Sequence, residues 1–177
     1  ETVETKNILG TTKIVKNNVL LLIFDNKGVL SKKKYLNIND LNELKILSEL
    51  VHFFKAREIK PYYKSHPIMT IDQSKLISDG LDIEIIDEMI DASDLIKKLQ
   101  PSFCIGWAST ALCESLNAGV IPISTQLDRE QQELKEHAIL YPFSKRAVFW
   151  SKDKKVIISA LNGQKEYDNV VQSLRES

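Results

Sequence analysis

Short apolar runs alternate along the chain with amphipathic stretches, the pattern of strand–helix–strand units around a parallel sheet. Asn18-Val19-Leu20-Leu21-Leu22-Ile23-Phe24-Asp25 is apolar on both faces and predicts a fully buried strand that stops at Asp25-Asn26-Lys27-Gly28. A helix capped by Asn39 or Asp40 is predicted next, because Leu41, Leu44, Leu47, Leu50, Val51 and Phe54 recur at helical spacing. Residues 59–64 form the second expected strand, entered through Pro61 and delivering Ser65-His66-Pro67 into a loop. Asp72 opens a short helix through Ser78 that Asp79-Gly80 closes. Residues 83–87 predict a third strand, and Ser93 caps a helix over 94–99 that stops before Pro101.

A fourth strand is expected at 103–107, a helix at 110–117 ending on Ala118-Gly119, and a fifth strand at 120–124. A charged helix near 129–137, an apolar strand at 147–150 and a helical tail from Val156, broken at Asn162-Gly163, complete the pattern. The expectation is one α/β domain over 18–177, a Rossmann-like doubly wound parallel sheet. The first seventeen residues are polar and irregular in pattern, and are expected to be a linker or the remnant of an upstream domain. A chain that opens on Glu1 rather than methionine is likewise expected to be a piece of a longer protein.

Composition narrows the function classes. Hydrophobic residues at 43% and charged residues at 27% are globular values, which set aside a disordered or fibrous chain. Lys plus Arg and Asp plus Glu both total 24, and a net charge of zero argues against duplex nucleic acid as a partner. Local basic runs such as Lys32-Lys33-Lys34 still suit a phosphate or an anionic surface. Cys104 and Cys113 sit in apolar stretches without metal-ligand spacing, and read as buried free thiols of a reducing compartment. No run approaches the roughly eighteen apolar residues of a membrane span, and no signal-peptide pattern opens the chain. His52 and His137 lack a metal partner at helical spacing and read as structural. The chain contains neither a Gly-x-Gly-x-x-Gly turn nor a Gly-Lys-Ser/Thr phosphate loop, so a dehydrogenase or P-loop reading fits poorly. A Ser-His-Asp hydrolase fits no better, for want of a Gly-x-Ser-x-Gly elbow.

In doubly wound sheets ligands bind beyond the carboxyl ends of the strands, so the residues that follow strands carry the information. Two such places stand out. In Tyr62-Tyr63-Lys64-Ser65-His66-Pro67 a histidine follows a strand and is locked by a proline, and near neutral pH it can donate to a phosphate oxygen or pass a proton to a departing phosphate. The plainer reading is a histidine that caps its own loop. In the stretch from Gly106 through Ser109 and Thr110 to Ile123, a strand enters a small-residue turn and a helix begins on two hydroxyls, whose free amides suit an anion. Gly106 permits a close backbone approach, and Glu114 lies one turn beyond Thr110 within reach of a ribose hydroxyl. Simple capping by Ser109 and a solvated Glu114 is the plainer reading there. Elsewhere Asp25 and Lys27 end the first strand and could border an acceptor cleft, whereas Trp107 reads as packing.

The 106–123 stretch resembles the donor-nucleotide segment of GT-B glycosyltransferases. In those enzymes a small-residue turn grips the phosphates, a helix glutamate meets the ribose, and an Ala-Gly-Val-Pro-Ile-like strand follows. Here that strand reads Ala118-Gly119-Val120-Ile121-Pro122-Ile123, with one residue inserted before the proline. Ser65-His66-Pro67 is similar to the His-Pro motif of bacterial sialyltransferases and polysialyltransferases, whose histidine contacts the phosphate of CMP-sialic acid together with a later Ser-Ser or Ser-Thr pair. The resemblance covers about a third of the chain, 61–123. It implies that His66 is the catalytic donor to the leaving phosphate and that Ser109 with Thr110 grips that phosphate. Lys64, Ser65, Pro67 and Gly106 lie beside them, Glu114 serves the ribose, and Asp87 and Glu88 lie where relatives meet the base and ribose.

On this resemblance the chain is half of a GT-B transferase that moves a sugar from a nucleotide to a glycan or lipid-linked acceptor in bacterial surface-glycan synthesis. A CMP-linked donor comes first, and a UDP-sugar or CDP-polyol phosphate next. No metal and no cofactor beyond the nucleotide sugar is implied. The setting would be cytoplasmic, at most touching the inner membrane face. One departure matters: the Asp/Glu-Asp/Glu-Gly motif that supplies the general base is absent, and Ser78-Asp79-Gly80 does not match it. The chain is therefore expected to bind nucleotide without transferring sugar alone, the acceptor being held by an N-terminal domain outside it. Two other readings stay open: a non-catalytic glycan- or partner-binding module, and a sugar-nucleotide epimerase of the same architecture.

Overall fold

A computed structural model of the chain describes residues 2–6, 12–22, 38–67, 69–86, 89–106, 110–125 and 146–177. Six strands form one sheet: β3 (Asn18–Leu21), β4 (Lys60–Lys64), β5 (Glu84–Ile86), β6 (Phe103–Gly106), β7 (Ile121–Ser124) and β8 (Val148–Phe149). They lie in the order β5-β4-β3-β6-β7-β8, and every pairing is parallel. Counted from β3, this is the 3-2-1-4-5-6 order of a Rossmann sheet, and the strand order reverses between β3 and β6.

The helices are α1 (Ile38–Lys55), α2 (Ile71–Leu81), α3 (Ala92–Leu99), α4 (Thr110–Asn117), α5 (Lys154–Ala160) and α6 (Gln164–Glu176). Side chains alternate across each strand, so the apolar runs fill two cores at once. Val19, Leu21, Tyr63, Phe103, Ile105, Ile121 and Ile123 meet Leu47, Leu50 and Phe54 of α1, Ile77 of α2, Ile157 of α5 and Val171 of α6. Leu20, Leu22 and Cys104 point the other way, onto Leu95 and Ile96 of α3 and Leu112 of α4. Burial in that second core pushes the Cys104 thiol pKa far up and keeps it neutral.

Two prolines lie inside inner strands, where the lost amide would ordinarily break a ladder. Pro61 pairs with Val19 on β3, but the pairing with β5 begins only at Tyr62. Pro122 pairs with Cys104 on β6, and the pairing with β8 begins only at Ile123. Each proline thus precedes the start of its outer neighbour. At the entry of β7, Tyr167 of α6 supplies what the ladder lacks: its hydroxyl accepts from the Ile121 amide at 3.2 Å and donates to the Ser102 carbonyl at 2.5 Å. Arg175 closes the other end of α4, donating from Nε and Nη2 to the Leu116 carbonyl and from Nη2 to that of Asn117. A guanidinium placed there offsets both the orphan carbonyls and the negative helix end.

Four local expectations are corrected, the first at α1, which begins at Ile38 and so takes Asn39 and Asp40 into the helix rather than at its cap. The first residues are not irregular: β1 (Thr2–Lys6) and β2 (Thr12–Lys16) pair antiparallel with Lys6 opposite Thr12. α2 starts from Thr70, not Asp72, through a capping box in which Thr70 and Gln73 bond reciprocally, and it runs through Gly80 to a left-handed Asp82. The amides of Asp82 and Ile83 reach back to Asp79 and Ser78, which seats Ile83 in the core and makes Asp82 the terminator. α3 takes Asp91, not Ser93, at its N-cap, because Leu95 must donate to the Asp91 carbonyl for Leu95 and Ile96 to face the sheet. The first strand is described only to Leu22, and the expected helix near 129–137 lies outside the described residues. Among the described residues no helix is long and apolar enough to cross a membrane.

Replacing Tyr167 by Phe should strand a buried amide and carbonyl and cost about 1–3 kcal/mol in urea unfolding at pH 7. Burial, opposed by the Ile121 hydrogen bond, raises the Tyr167 pKa above its usual value near 10. A phenol with a raised folded pKa contributes stability that is present below the unfolded pKa and lost above it. The wild-type advantage over Tyr167→Phe should therefore narrow as pH climbs past about 10. A constant gap from pH 7 to 11 would contradict the buried-phenol assignment.

Candidate functional site

Because all six strands are parallel, every loop that follows a strand opens on one edge of the sheet. Register sets the levels along that edge: Ile85, Tyr63, Leu21, Ile105, Ile123 and Val148 lie side by side. Lys64 pairs with Ile86 one residue further on, and Gly106 with Ser124. β4 and β6 flank β3, so the exits carrying Lys64 and Gly106 stand two strand spacings apart, about 10 Å. The β3 exit lies between them, and the strand order reverses where β3 meets β6, the switch point.

On the β4 side, Lys64 and Ser65 are half-buried, while His66 and Pro67 are exposed. The loop is pinned from beneath. The Met69 amide donates to the His66 carbonyl at 2.9 Å, and the hydroxyl of the fully buried Tyr63 reaches the Met69 sulfur at 3.4 Å. The Ser65 and Ser74 hydroxyls meet at 2.6 Å, and Ser74 donates on to the Thr70 carbonyl at 3.1 Å. The exposed His66 thus sits in a loop held by one backbone hydrogen bond and by two side-chain contacts of its neighbours.

On the β6 side, α4 begins at Thr110, as the sequence predicts. Leu112, Ser115 and Leu116 are buried, which leaves Thr110 and Glu114 exposed together one turn apart. Gly106 has a packing reason the sequence reading did not foresee: a Cβ there would meet the Leu22 carbonyl oxygen at 3.2 Å and the Leu112 side chain at 3.4 Å. The glycine lets β3, β6 and α4 close up, whereas the sequence reading gave it to a ligand. Ser109, Asp87 and Glu88, with Trp107, Asp25 and Lys27, lie outside the described residues.

Two groups at this edge escaped the sequence reading. Thr125, just past β7, is buried; its amide donates to the Gly106 carbonyl at 2.9 Å, and its hydroxyl lies 3.5 Å from the same oxygen. That bond carries the β6–β7 ladder one residue beyond the Gly106–Ser124 pair. Ser74, 2% exposed, is the second. Its signal in the sequence was faint, a lone serine at an i+4 step from Thr70 inside an otherwise plain helix. Among the described residues no cluster of three or more His, Cys, Asp or Glu is arranged to hold a metal.

No family model and no curated protein matches the chain. The fold, however, recurs. A crystal structure of a Listeria monocytogenes protein described as a UDP-N-acetylglucosamine 2-epimerase matches with a TM-score of 0.54 at 12% identity, over 89% of this chain and 40% of that one. The chain therefore spans well under half the length of that relative. The likeness establishes the fold class: a Rossmann-like α/β sheet of the kind that forms one half of a GT-B fold.

Gly106→Ala should lower the melting temperature, costing about 1 kcal/mol, since the Leu22 carbonyl oxygen at 3.2 Å must give by a few tenths of an ångström to admit the methyl, while Leu112 at 3.4 Å is only brought into close contact. Thermal unfolding of the purified variant checks this. A neutral or stabilising result would show that the three elements do not close as described.

Proposed function

We propose that this chain is the nucleotide-binding lobe of a two-lobed enzyme of sugar-nucleotide chemistry, a GT-B glycosyltransferase whose donor phosphate sits between His66 and the first turn of α4. One observation carries the reading. The two loops singled out for phosphate chemistry leave the sheet on the two strands that flank β3, on one edge, at the switch point. Support of a coarser kind comes from the relative described as acting on a UDP-sugar, of which this chain matches less than half.

The chemistry follows from the placement. A departing nucleotide phosphate gathers negative charge as the sugar leaves. The Thr110 hydroxyl and the amides of the α4 first turn neutralise part of it without a metal. His66, exposed above a pinned loop, donates the hydrogen bond or proton that stabilises the leaving group. Glu114, one turn along α4 from Thr110, accepts from a ribose hydroxyl. Lys64, at the β4 exit, adds charge beside the phosphate. The acceptor and the general base belong to a second lobe, so this chain alone binds nucleotide without transferring sugar. The donor is CMP-linked on the His-Pro resemblance, in a bacterial surface-glycan pathway.

The activity described for the structural relative favours a second reading, a UDP-sugar epimerase lobe that uses the same phosphate site. Calorimetric titration with CMP, CDP, UMP, UDP and GDP separates the two. Binding of CMP or CDP, weakened about ten- to a hundredfold in His66→Ala, supports the transferase reading. UDP binding with the same dependence on His66 moves the assignment to UDP-sugar chemistry. If no nucleotide binds up to millimolar concentration, or if His66→Ala changes nothing, the phosphate site as drawn is wrong.

A further inference from the structure

We propose that Ser65 and Ser74 are positioning residues, a pair of hydroxyls that locks the His66 loop onto α2. The inference rests on the reading of His66 given above and goes beyond it by adding a residue, Ser74, from a different element. A hydroxyl has one proton to give. Ser74 is buried in the first turn of α2, and its Oγ donates to the Thr70 carbonyl at 3.1 Å, which leaves its lone pairs to accept from Ser65 at 2.6 Å. If the pair runs the other way, Ser74 donates to Ser65, and Ser65 donates to the His66 carbonyl at 3.3 Å. Both arrangements use both protons on protein acceptors.

A phosphate oxygen brings no hydrogen, so binding Ser65 would redirect that proton; Ser74 would then donate to Ser65 Oγ, and the pair would give up one bond to a protein carbonyl, that of Thr70 or of His66, while the Ser65–Ser74 bond itself persists. Short linked hydroxyls reinforce one another when little water competes. The chain runs from the residue before His66 to the N-cap residue of α2, Thr70, whose own side chain is held by the capping box with Gln73. With the Met69 amide on the His66 carbonyl, the loop is closed at both ends, and its imidazole is carried on a fixed backbone. Fixing such a group beforehand removes the ordering cost that ligand binding would otherwise incur.

The test is a mutant cycle on nucleotide affinity, using whichever of CMP or UDP the wild-type chain binds, at a temperature where circular dichroism shows every variant folded. Ser65→Ala and Ser74→Ala should each weaken binding about three- to tenfold. The double variant should be no weaker than either single one, and neither change should matter in a His66→Ala background. Ser65→Thr, which keeps the hydroxyl, should restore most of the affinity. In the nucleotide-free protein both alanine variants should shift and broaden the His66 Cε1–H resonance. Weakening by Ser65→Ala without an equal effect of Ser74→Ala would make Ser65 a direct ligand and overturn the proposal. If the wild type binds no nucleotide, the function proposed above fails by itself, and an unmoved His66 resonance in Ser74→Ala then sinks the lock separately.

Discussion

Parallel pairing of β3 with β4 on one side and β6 on the other is the constraint on which the rest of this molecule depends. A parallel strand cannot turn straight back into its neighbour; the chain must cross over a face and re-enter at the same end. That requirement places helices on both faces and gathers every strand exit on one edge. It also demands that the central strands be apolar on both sides, which Val19, Leu20 and Leu21 satisfy with complete burial. The candidate site is a by-product of this geometry: the two exits beside β3 are brought together whatever their loops contain.

The sheet is short, and its ends are finished by side chains rather than by longer strands. Tyr167 bridges the β6–β7 ladder where the strands begin, and Thr125 extends it where they stop. Both groups sit on or next to elements whose main task is packing, so the same residues that close the core set the height of the strand exits. Trp150 plays a similar part on the far side, donating from its indole nitrogen to Glu49 of α1 at 3.1 Å while its ring packs against Phe53. The tail is thereby fastened to the first helix, and α6 to the base of the sheet. Arg175 adds the fastening of α6 to α4, the helix whose other end faces the site.

His66 and Thr110 differ in how they are held. Thr110 begins a helix anchored through Leu112 and Leu116 on either side of the sheet edge, so its position follows from core packing. His66 rides on a loop, and loops lack a ladder to hold them. Its backbone is held instead by a few polar contacts: Tyr63 to Met69, Ser65 to Ser74, and the turn from His66 to Met69. A site with one partner on rigid packing and the other on a small hydrogen-bonded turn is open to tuning at the turn, without disturbance to the sheet.

Much of this was legible in the sequence, for a physical reason: burial on both faces requires uninterrupted apolar runs, and the change of pattern at Ser109-Thr110 marks where α4 begins. Hence β3, β6, β7 and the span of α4 follow from pattern alone, as does the placement of His66 and Thr110 just beyond strands. Helix ends were less legible. Glycine is the usual sign of a left-handed terminator, and Gly119 plays that part after α4 as expected, yet Glu58, Asp82 and Gln100 adopt the same conformation after α1, α2 and α3, and Gly80 is an ordinary helical residue. Contacts between residues distant in sequence left no local trace at all. Nothing near Gly106 announces that Leu22 and Leu112 crowd it, and nothing near Ser65 announces Ser74 or near Ile121 announces Tyr167. The sequence by itself determined which segments must be buried, because transfer of apolar side chains from water depends on composition and period alone. Which strands are neighbours, which exits face each other and which hydroxyls share a proton were decided only by the tertiary structure, since those depend on where the chain is when it returns.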